Sequence, residues 1–226
     1  MALFTVIEGA DGCGKTTQVK LLCEKLEQMG LGSVEMSFPR YQTAVGRVIS
    51  QNLLGNVTGG PDDVKDIVLQ ALNTYDKYEA AEDIRDHLRL GRNVVSSRWW
   101  QSAVAYGSSA GINIDSLMKA HALLPRADLN ILLWMPEDES LTRRPAPDRL
   151  EKDRDLQKQV FKTYQTMWSH HGARSISGWS VDNSWMVVDG RDDEKTVHLK
   201  IWKGFLRVLE ALAELNSHLH RLRTGP

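Results

Sequence analysis

The 226-residue chain has few cysteines and no surplus of charge of either sign. Its two cysteines, Cys13 and Cys23, are too few for a disulfide-stapled scaffold and fit a reducing compartment such as the cytoplasm. The net charge of −1, from 28 basic and 29 acidic residues, excludes a protein that coats nucleic acid or a membrane surface through charge alone. Any anion must therefore be bound at a local site.

Long hydrophobic runs are also missing from the sequence. The first apolar stretch, residues 3–7, is far too short to cross a bilayer, and no charged segment precedes it as in a secretory signal. The composition, 42% hydrophobic and 25% charged residues, is that of an ordinary globular domain that buries a full core without metals or disulfides. We expect a single cytoplasmic domain over residues 1–226.

Five short apolar runs predict the strands of a parallel sheet, because they are continuous rather than alternating. They occupy residues 3–7, 34–37, 94–97, 129–134 and 185–188. Helical patterns separate them at residues 16–29, 44–54, 62–90, 114–123, 156–168 and 196–215. This alternation predicts an α/β fold, a five-stranded parallel sheet flanked by helices on both faces. In such folds ligands bind beyond the carboxyl ends of the strands.

The most specific motif lies between the first predicted strand and the first predicted helix. Residues 9–16 read GADGCGKT and match G-x-x-x-x-G-K-[ST] in full. Glycines let successive backbone N–H groups surround a phosphate, and the helix that begins there adds its positive dipole end. Lys15 then reaches the β- and γ-phosphates, and the Thr16 hydroxyl binds Mg²⁺. We therefore expect the chain to bind a nucleoside triphosphate.

The ends of the other predicted strands indicate which kind of phosphate-loop protein this is. A hydrolytic switch needs an aspartate at the end of a neighbouring strand, but the candidate strands at 94–97 and 129–134 end without one. A guanine switch also needs an Asn-Lys-x-Asp stretch, which the sequence lacks. Arginines are found instead, as FPRY at residues 38–41, SRWW at 97–100 and RRPAPDRLEKDRD at 143–155. A kinase for a small acceptor needs such a cluster, because arginines bring two anions together.

Four stretches together resemble the thymidylate kinase family, in its order and spacing from residue 3 to about residue 210. They are EGADGCGKTTQ at residues 8–18, FPRY at 38–41, SRWWQSAVAY at 97–106 and DRLE at 148–151. The resemblance implies a P-loop kinase that transfers the ATP γ-phosphate to dTMP with Mg²⁺. It also implies a mobile lid at about residues 140–156, a small-molecule nucleotide as substrate and a homodimer, for which the apolar helix predicted at residues 62–90 offers an interface. Binding to nucleic acid or a membrane is not expected.

The resemblance assigns site residues one by one. The ATP site would contain Gly9, Asp11, Gly12, Cys13, Gly14, Lys15, Thr16, Thr17 and Arg191, and Arg191 lies in residues 189–194, which are similar to the stretch bordering adenine. The acceptor would contact Asp11, Phe38, Arg40, Tyr41, Asn73, Lys77, Arg98, Ser102 and Tyr106. Arg98 would hold the acceptor phosphate opposite the γ-phosphate, so that it acts in catalysis with Lys15 and Asp11. Tyr106 would pack beneath the deoxyribose, where a 2′-hydroxyl would clash.

One further catalytic arginine is implied by the resemblance. Family members keep a mobile arginine either in the phosphate loop or in the lid. Position 13 of this chain is cysteine, so the loop lacks it, and the lid must supply it from Arg143, Arg144 or Arg149. The resemblance therefore predicts that at least one of these three arginines is catalytic.

The acceptor side departs from the family pattern in several places. Ser97 stands where the family has an aspartate before Arg98, so a contact to the magnesium shell is either missing or taken over by Asp11 or Glu8. Trp99 replaces a tyrosine, and a glycine at 107 replaces a common glutamine. The phosphate-binding residues are unaffected by these changes.

The predicted base pocket is altered as well. Counting back from Gly91 places Lys77 at the family's base-reading arginine and Asn73 at its stacking phenylalanine; a shift of one or two residues would bring Tyr75 or Tyr78 to the stacking position. Lysine lacks the planar fork of arginine, and asparagine offers no aromatic surface. A 5-substituted pyrimidine deoxynucleotide therefore stays open as the acceptor beside dTMP. Two other hypotheses are a kinase acting on a nucleic-acid end and a nucleotide switch without transfer activity.

Overall fold

The computed structural model describes residues 1–56, 61–136, 139–140, 143, 149–172 and 184–224. Its strands are β1 Phe4–Gly9, β2 Ser33–Ser37, β3 Asn93–Ser97, β4 Leu129–Trp134 and β5 Ser184–Asp189. All five pair in parallel, in the order β2-β3-β1-β4-β5. The predicted five-stranded parallel sheet is confirmed, with strand ends that differ from the prediction by at most two residues.

The helices are α1 Lys15–Gln28, α2 Ala44–Leu53, α3 Asp62–Arg89, α4 Trp100–Ser109, α5 Ile114–Ala120, α6 Arg149–Lys152, α7 Arg154–Gly172 and α8 Glu194–Thr224. Six of them correspond to predicted helices, and α8 extends nine residues further than predicted. Helices α4 and α6 were not predicted. Helix α4 is buried over most of its surface, so its sequence lacks the polar face that makes a helical period visible. Within the described part of the chain, every helix is too short or too polar to traverse a bilayer.

Two apolar layers enclose the sheet, one on each face. Alternation along β1 sends Phe4 and Val6 into the layer formed by α3, α4, α5 and α7. Ile7, and Leu3 just before the strand, lie in the layer formed by α1 and α8. Phe205 of α8 is fully buried in the second layer. Helices therefore cover both faces of the sheet, as predicted.

Strand order brings the separated motifs to one edge. Ile7 of β1 and Ser37 of β2 are both paired in register with Ser97 of β3, so the carboxyl ends of these three strands lie side by side. The chain then crosses to the other side of β1, where Gly9 pairs with Leu133 of β4. Such a change of direction leaves a crevice beyond the strand ends. The three segments that follow β1, β2 and β3 meet at this crevice.

Candidate active site

The phosphate loop, residues 9–16, forms the turn between β1 and α1. Gly9, Gly12 and Gly14 have φ angles of 142°, 83° and 97°, in the region that favours glycine. A Cβ atom on Gly9 would lie 2.5 Å from the carbonyl oxygen of Leu133, which leaves no room for any other residue. Gly14 precedes α1, so the free N–H groups and the positive dipole end of this helix face the crevice.

Lys15 lies folded over this loop and is only 6% exposed. Its ammonium Nζ donates to the carbonyl oxygens of Gly9 at 3.0 Å and Ala10 at 2.7 Å, and it lies 3.4 Å from Asp11 Oδ1. The ammonium is thereby held beside the loop glycines by partners within six residues of the chain. This geometry can bring a cation to a phosphate that binds in the loop.

Arg98 and Asp11 form an ion pair across the crevice. Arg98 Nη2 bonds to Asp11 Oδ1, Nη1 lies 3.4 Å from Ser102 Oγ, and the guanidinium stacks 5.3 Å from the ring centroid of Tyr106. Tyr106 in turn donates its hydroxyl to Asp11 Oδ2 at 3.1 Å. This Asp11–Arg98–Tyr106 cluster places a cation, an anion and an aromatic face next to the phosphate loop.

Electrostatics keep both donors of the cluster protonated. Burial is the largest single influence on the pKa of Arg98 and lowers it, but Asp11, Tyr106, Tyr164 and Glu8 together outweigh burial and raise the pKa well above its usual value. Burial and then Asp11 raise the pKa of the Tyr106 hydroxyl. Arg98 also has a φ of 68°, which is strained for a residue with a side chain. Strain of about 1–3 kcal/mol persists where the surroundings fix a residue firmly, as they often do at functional sites.

A cavity of about 420 Å³ joins the phosphate loop to α3. Thirteen of the residues assigned to the site from sequence line it, namely Asp11, Gly12, Gly14, Lys15, Thr16, Thr17, Phe38, Tyr41, Asn73, Lys77, Arg98, Ser102 and Tyr106. This volume is in the range of pockets that hold a small molecule. The cavity therefore brings most of the predicted donor and acceptor residues into one place.

Arg40 is turned towards α3 instead of into the cavity. Its Nε bonds to Asp76 Oδ1 at 2.9 Å, its backbone N–H to Asp76 Oδ2 at 3.0 Å, and its Nη2 to Glu79. Asp76 is fully buried. These bonds anchor the FPRY segment to α3. A Cβ on Gly46 would lie 1.9 Å from the Arg40 carbonyl oxygen, so a glycine is needed for this close approach.

The wall that α3 contributes to the cavity is mostly polar, with Gln70, Asn73 and Lys77 beside one leucine. Asn73 Nδ2 donates to the Leu69 carbonyl oxygen at 3.0 Å, and Lys77 Nζ donates to the Asn73 carbonyl oxygen at 3.0 Å. Lys77 is 2% exposed, and its Nζ lies 5.8 Å above the ring centroid of Phe38. Burial lowers the pKa of Lys77 to about 8, against the opposing effect of Asp76 and Glu8.

Two tyrosines that were alternative candidates for this wall lie elsewhere. Tyr75 is 56% exposed, and Tyr78 is 37% exposed and donates its hydroxyl to the Ala120 carbonyl oxygen at 2.8 Å. Helical geometry explains this, since positions 75 and 78 are rotated away from the face that carries Asn73 and Lys77. The cavity wall thus contains the asparagine and the lysine.

The donor side has a second loop, which follows β5. The Gly190 N–H donates to the Trp134 carbonyl oxygen at 2.7 Å, and a Cβ at this position would lie 3.4 Å from the Cys13 carbonyl oxygen. Arg191 pairs with Asp189, lowering the pKa of that carboxyl to about 2, and its guanidinium stacks 5.2 Å from the Trp134 ring centroid. The segment that carries Arg191 therefore lies directly against the phosphate loop.

Of the three candidate lid arginines, Arg143 is the one whose side chain the structure describes. Arg143 is exposed, and its Nη1 donates to the Gly190 carbonyl oxygen at 3.3 Å, which places it beside the second donor-side loop. Arg144 and the side chain of Arg149 lie outside the described residues. Cys13 is buried in the phosphate loop, with its Sγ 4.0 Å from Lys15 Nζ.

Several contributors to the site were not anticipated from sequence. Gln70 lines the cavity one helical turn before Asn73, and helical spacing is a signal that would have found it. Leu69 and Ala103 supply apolar surface. Tyr164 lies behind the cavity and bonds to Glu8; no local pattern marks it. Both carboxylate oxygens of Glu8 accept hydrogen bonds from neutral donors, namely the Trp99 N–H and the hydroxyls of Ser102 and Tyr164. Glu8 therefore bonds to the protein interior behind the cavity.

Comparisons with known proteins agree with this geometry. The family model for thymidylate kinase matches residues 7–201. A probable thymidylate kinase of Thermococcus onnurineus is 34% identical over 172 residues, covering 72% of this chain and 82% of that protein. A thymidylate kinase of Pelotomaculum thermopropionicum is 33% identical over 220 residues, covering 95% and 97%. A solved thymidylate kinase from Candida albicans has the same fold, with a TM-score of 0.68 and 22% identity over 89% of this chain and 90% of that one.

Proposed function

This chain belongs to the thymidylate kinase family, and we propose that it transfers the γ-phosphate of ATP to dTMP, giving ADP and dTDP. One observation carries the proposal within the structure. The Asp11–Arg98–Tyr106 cluster and Lys15 of the phosphate loop line a single cavity, so a site for a monophosphate faces a site for a triphosphate. A simple hydrolase needs only the second of these sites.

The residues act mainly by positioning and by charge. In the transfer an oxygen of the dTMP phosphate attacks the γ-phosphorus, and the bond from that phosphorus to the β–γ bridging oxygen breaks. The attacking oxygen is already ionised, so no general base is needed. Lys15 and the N–H groups of the loop hold the donor phosphates, while Arg98 holds the acceptor phosphate opposite them. Tyr106 lies beneath the sugar of the acceptor.

Magnesium fits the donor side of this arrangement. The Thr16 hydroxyl and the Asp11 carboxylate line the cavity next to Lys15. Among the described residues, no group of three or more histidine, cysteine, aspartate or glutamate side chains is placed to hold a metal by itself. Mg²⁺ commonly takes one or two protein oxygens and completes its shell with water and substrate phosphates. Bound there, it would supply positive charge to the β- and γ-phosphate oxygens.

The lid is assigned to about residues 140–156, within a single domain that spans residues 1–226. Arg143 contacts the loop that carries Arg191, so the start of this segment lies on the ATP side. Leu150 of α6 lines the cavity and belongs to one apolar cluster with Ile49 of α2 and Leu69 of α3, so the other end of the segment reaches the acceptor side. A segment that touches both sites can close over both substrates, and one of Arg143, Arg144 and Arg149 then contacts the transferred phosphate.

A 5-substituted pyrimidine deoxynucleotide is the second candidate acceptor, because the base-facing wall is polar. Asn73 replaces an aromatic surface with an amide, and Lys77 presents a single ammonium rather than a planar fork. Both side chains can hydrogen-bond to a polar group on the base. Near-equal or higher kcat/KM for 5-hydroxymethyl-dUMP than for dTMP would favour this candidate.

A second copy of the chain is the proposed macromolecular partner, through the outer face of α3. The exposed apolar residues of this helix, each between 37% and 56% accessible, are Val64, Ile67, Val68, Tyr75 and Tyr78. An apolar face of this kind on one long helix suits an isologous two-fold contact. Sedimentation equilibrium should give a dimer mass, and Ile67→Glu should shift it towards the monomer.

The free thiols of Cys13 and Cys23 fit a cytoplasmic location.

A coupled assay of ADP release tests the proposed activity. Purified protein, ATP and Mg²⁺ are combined with dTMP, with dUMP, with dCMP, with a 5′-hydroxyl oligonucleotide or with no acceptor. We expect release to depend on dTMP and dTDP to accumulate in step with ADP. Release without an acceptor would indicate a nucleotide switch, and release only with the oligonucleotide would indicate a polynucleotide kinase.

A further inference from the structure

A fully buried carboxylate joins three segments behind the acceptor side of the cavity. Glu8, next to Gly9 of the phosphate loop, is 0% exposed. Its Oε1 accepts the backbone N–H of Trp99 at 2.8 Å, and its Oε2 accepts the hydroxyls of Ser102 at 2.6 Å and Tyr164 at 2.8 Å. Burial of a carboxylate destabilises the folded protein unless hydrogen-bond donors satisfy it. The three donors and Glu8 therefore form one hydrogen-bond network.

Two of the donors are direct neighbours of Arg98. Trp99 follows it in the chain, and Ser102 Oγ accepts from Arg98 Nη1 at 3.4 Å. The φ of 68° at Arg98 requires surroundings that hold the backbone in place. The backbone N–H of Arg98 also donates to the Ile7 carbonyl oxygen at 3.0 Å. Glu8 therefore restrains both the backbone that follows Arg98 and the hydroxyl that its guanidinium contacts.

The third donor comes from a different part of the chain. Tyr164 lies in the middle of α7, which follows α6 and packs along α4. It is 2% exposed, and its hydroxyl is also 3.1 Å from Ser102 Oγ. Burial and then the Glu8 carboxylate raise the pKa of this hydroxyl well above its usual value, so it remains a donor. Tyr164 thus connects the helix that follows the proposed lid to the surroundings of Arg98.

We propose that Glu8 and Tyr164 are positioning residues, which hold Arg98 in the orientation that binds the acceptor phosphate. The inference rests on the proposed function and adds that α7, through one hydroxyl, helps to set the geometry of the acceptor site. In the described part of the chain, neither Glu8 nor Tyr164 is among the residues that line the cavity. They act through Arg98 and Ser102 rather than on the substrates.

Replacement of a single hydroxyl tests this role. Tyr164→Phe leaves Glu8 one donor short, and kcat/KM for dTMP is expected to fall roughly ten- to hundredfold, because a displacement of about 1 Å costs up to ~10²-fold. The KM for ATP should change by less than about twofold, since the donor side is untouched.

Thr163→Val is the matched control. It removes a hydroxyl of the same helix, 3.4 Å from Ser108 Oγ, outside the Glu8 network. Near-wild-type kcat/KM for Tyr164→Phe would overturn the proposal.

A double-mutant comparison separates positioning from simple loss of stability. If Tyr164 acts through Arg98, Tyr164→Phe should cost little further activity when Arg98 is already alanine. Equal losses in both backgrounds would overturn the proposal, because the effect would then not pass through Arg98.

Crystal structures of the wild type and Tyr164→Phe supply a readout that does not depend on turnover. The Arg98 guanidinium is expected to move away from Asp11 in the variant, and an unchanged position contradicts the inference. A wild type that shows no transfer to dTMP contradicts the proposed function, and it leaves this structural comparison intact.

Discussion

The donor side and the acceptor side of the cavity are built in opposite ways. The donor side is centred on eight consecutive residues, 9–16, and Lys15 bonds there to carbonyl oxygens no more than six residues away. The acceptor side is assembled from the ends of β2 and β3 and from α3 and α4, and its central ion pair joins residues 87 positions apart. One side is local in sequence, and the other exists only after folding.

This difference has a chemical reason. Every nucleoside triphosphate presents the same phosphates, and backbone N–H groups with one lysine suffice to bind them. An acceptor must be recognised by its base and sugar, and this requires side chains from several segments. Backbone contacts survive most substitutions, whereas the Asp11–Arg98–Tyr106 cluster changes with any of its members. Replacing residues that hold a phosphate, on either side, should therefore affect all acceptors alike, whereas replacing residues of the base-facing wall should affect them selectively.

The largest effect is expected from Lys15→Ala, which removes the one side-chain cation of the phosphate loop. Transfer should fall by about 10³-fold or more, since the loss affects charge that develops during transfer. The measurement is kcat with saturating ATP and dTMP, together with a thermal unfolding curve to show that the variant is folded. Lys20→Ala, an exposed lysine of α1, is the control. Near-normal turnover by folded Lys15→Ala would show that the donor binds elsewhere.

Arg98→Ala should have the next largest effect and should be uniform across acceptors. We expect kcat/KM to fall by about 10²-fold for dTMP, dUMP and dCMP alike, because Arg98 holds the phosphate that they share. Arg89→Ala is the control, because this arginine lies on the exposed part of α3, paired with Glu82 and Asp86. A loss confined to one base would mean that Arg98 lies at the base end of the cavity.

Replacing the lid arginines tests whether the donor side needs a cation from the lid. Cys13 leaves the phosphate loop without a second cation, so at least one of Arg143→Ala, Arg144→Ala and Arg149→Ala should lower kcat by about 10²-fold. Each variant is assayed singly with saturating ATP and dTMP. Three mild losses would place the clamp on the transferred phosphate outside these residues.

Lys77→Arg should change selectivity rather than overall activity. Arginine restores a planar fork, so kcat/KM should be redistributed among dTMP, dUMP, dCMP and 5-hydroxymethyl-dUMP by about tenfold, towards dTMP if dTMP is not already preferred. Because Lys77 is buried, Lys77→Met is assayed as well, to separate the loss of charge from crowding. If Lys77→Arg changed kcat/KM equally for all acceptors or not at all, while Arg98→Ala was base-selective, Lys77 would not read the base and Arg98 would not hold the shared phosphate.

The smallest expected effect is a pH dependence of base selectivity. With a pKa of about 8, Lys77 is charged below that pH and donates strongly to a base carbonyl; above it, the neutral amine donates weakly and can also accept from an amino group. The ratio of kcat/KM for dTMP over dCMP should therefore fall several-fold between about pH 7 and 9 in the wild type. The same ratio should stay flat in Lys77→Arg. A flat wild-type profile would exclude titration of Lys77 as a determinant.

Much of the fold could be predicted because its signals are periodic. The five strands and six helices were recognised from continuous apolar runs and helical spacing. Helix α4 was missed because Trp100 to Ala105 are buried almost throughout, so no polar stripe interrupts them. The wall of α3 was anticipated at Asn73 and Lys77, but the direction of Arg40 was not. Its guanidinium pairs with Asp76 and Glu79, on a helix 36 and more residues away.

The sequence by itself determined the phosphate loop, because the carbonyl partners of Lys15 lie within six residues and the positive φ angles of Gly9, Gly12 and Gly14 leave few alternatives. Only the tertiary structure decided how Arg98 is held. Its supports come from β1, α4 and α7, and the bonds that Glu8 makes span 91, 94 and 156 positions. Side chains so far apart have no preferred orientation until burial forces each polar group to find a partner, and folding alone makes that choice.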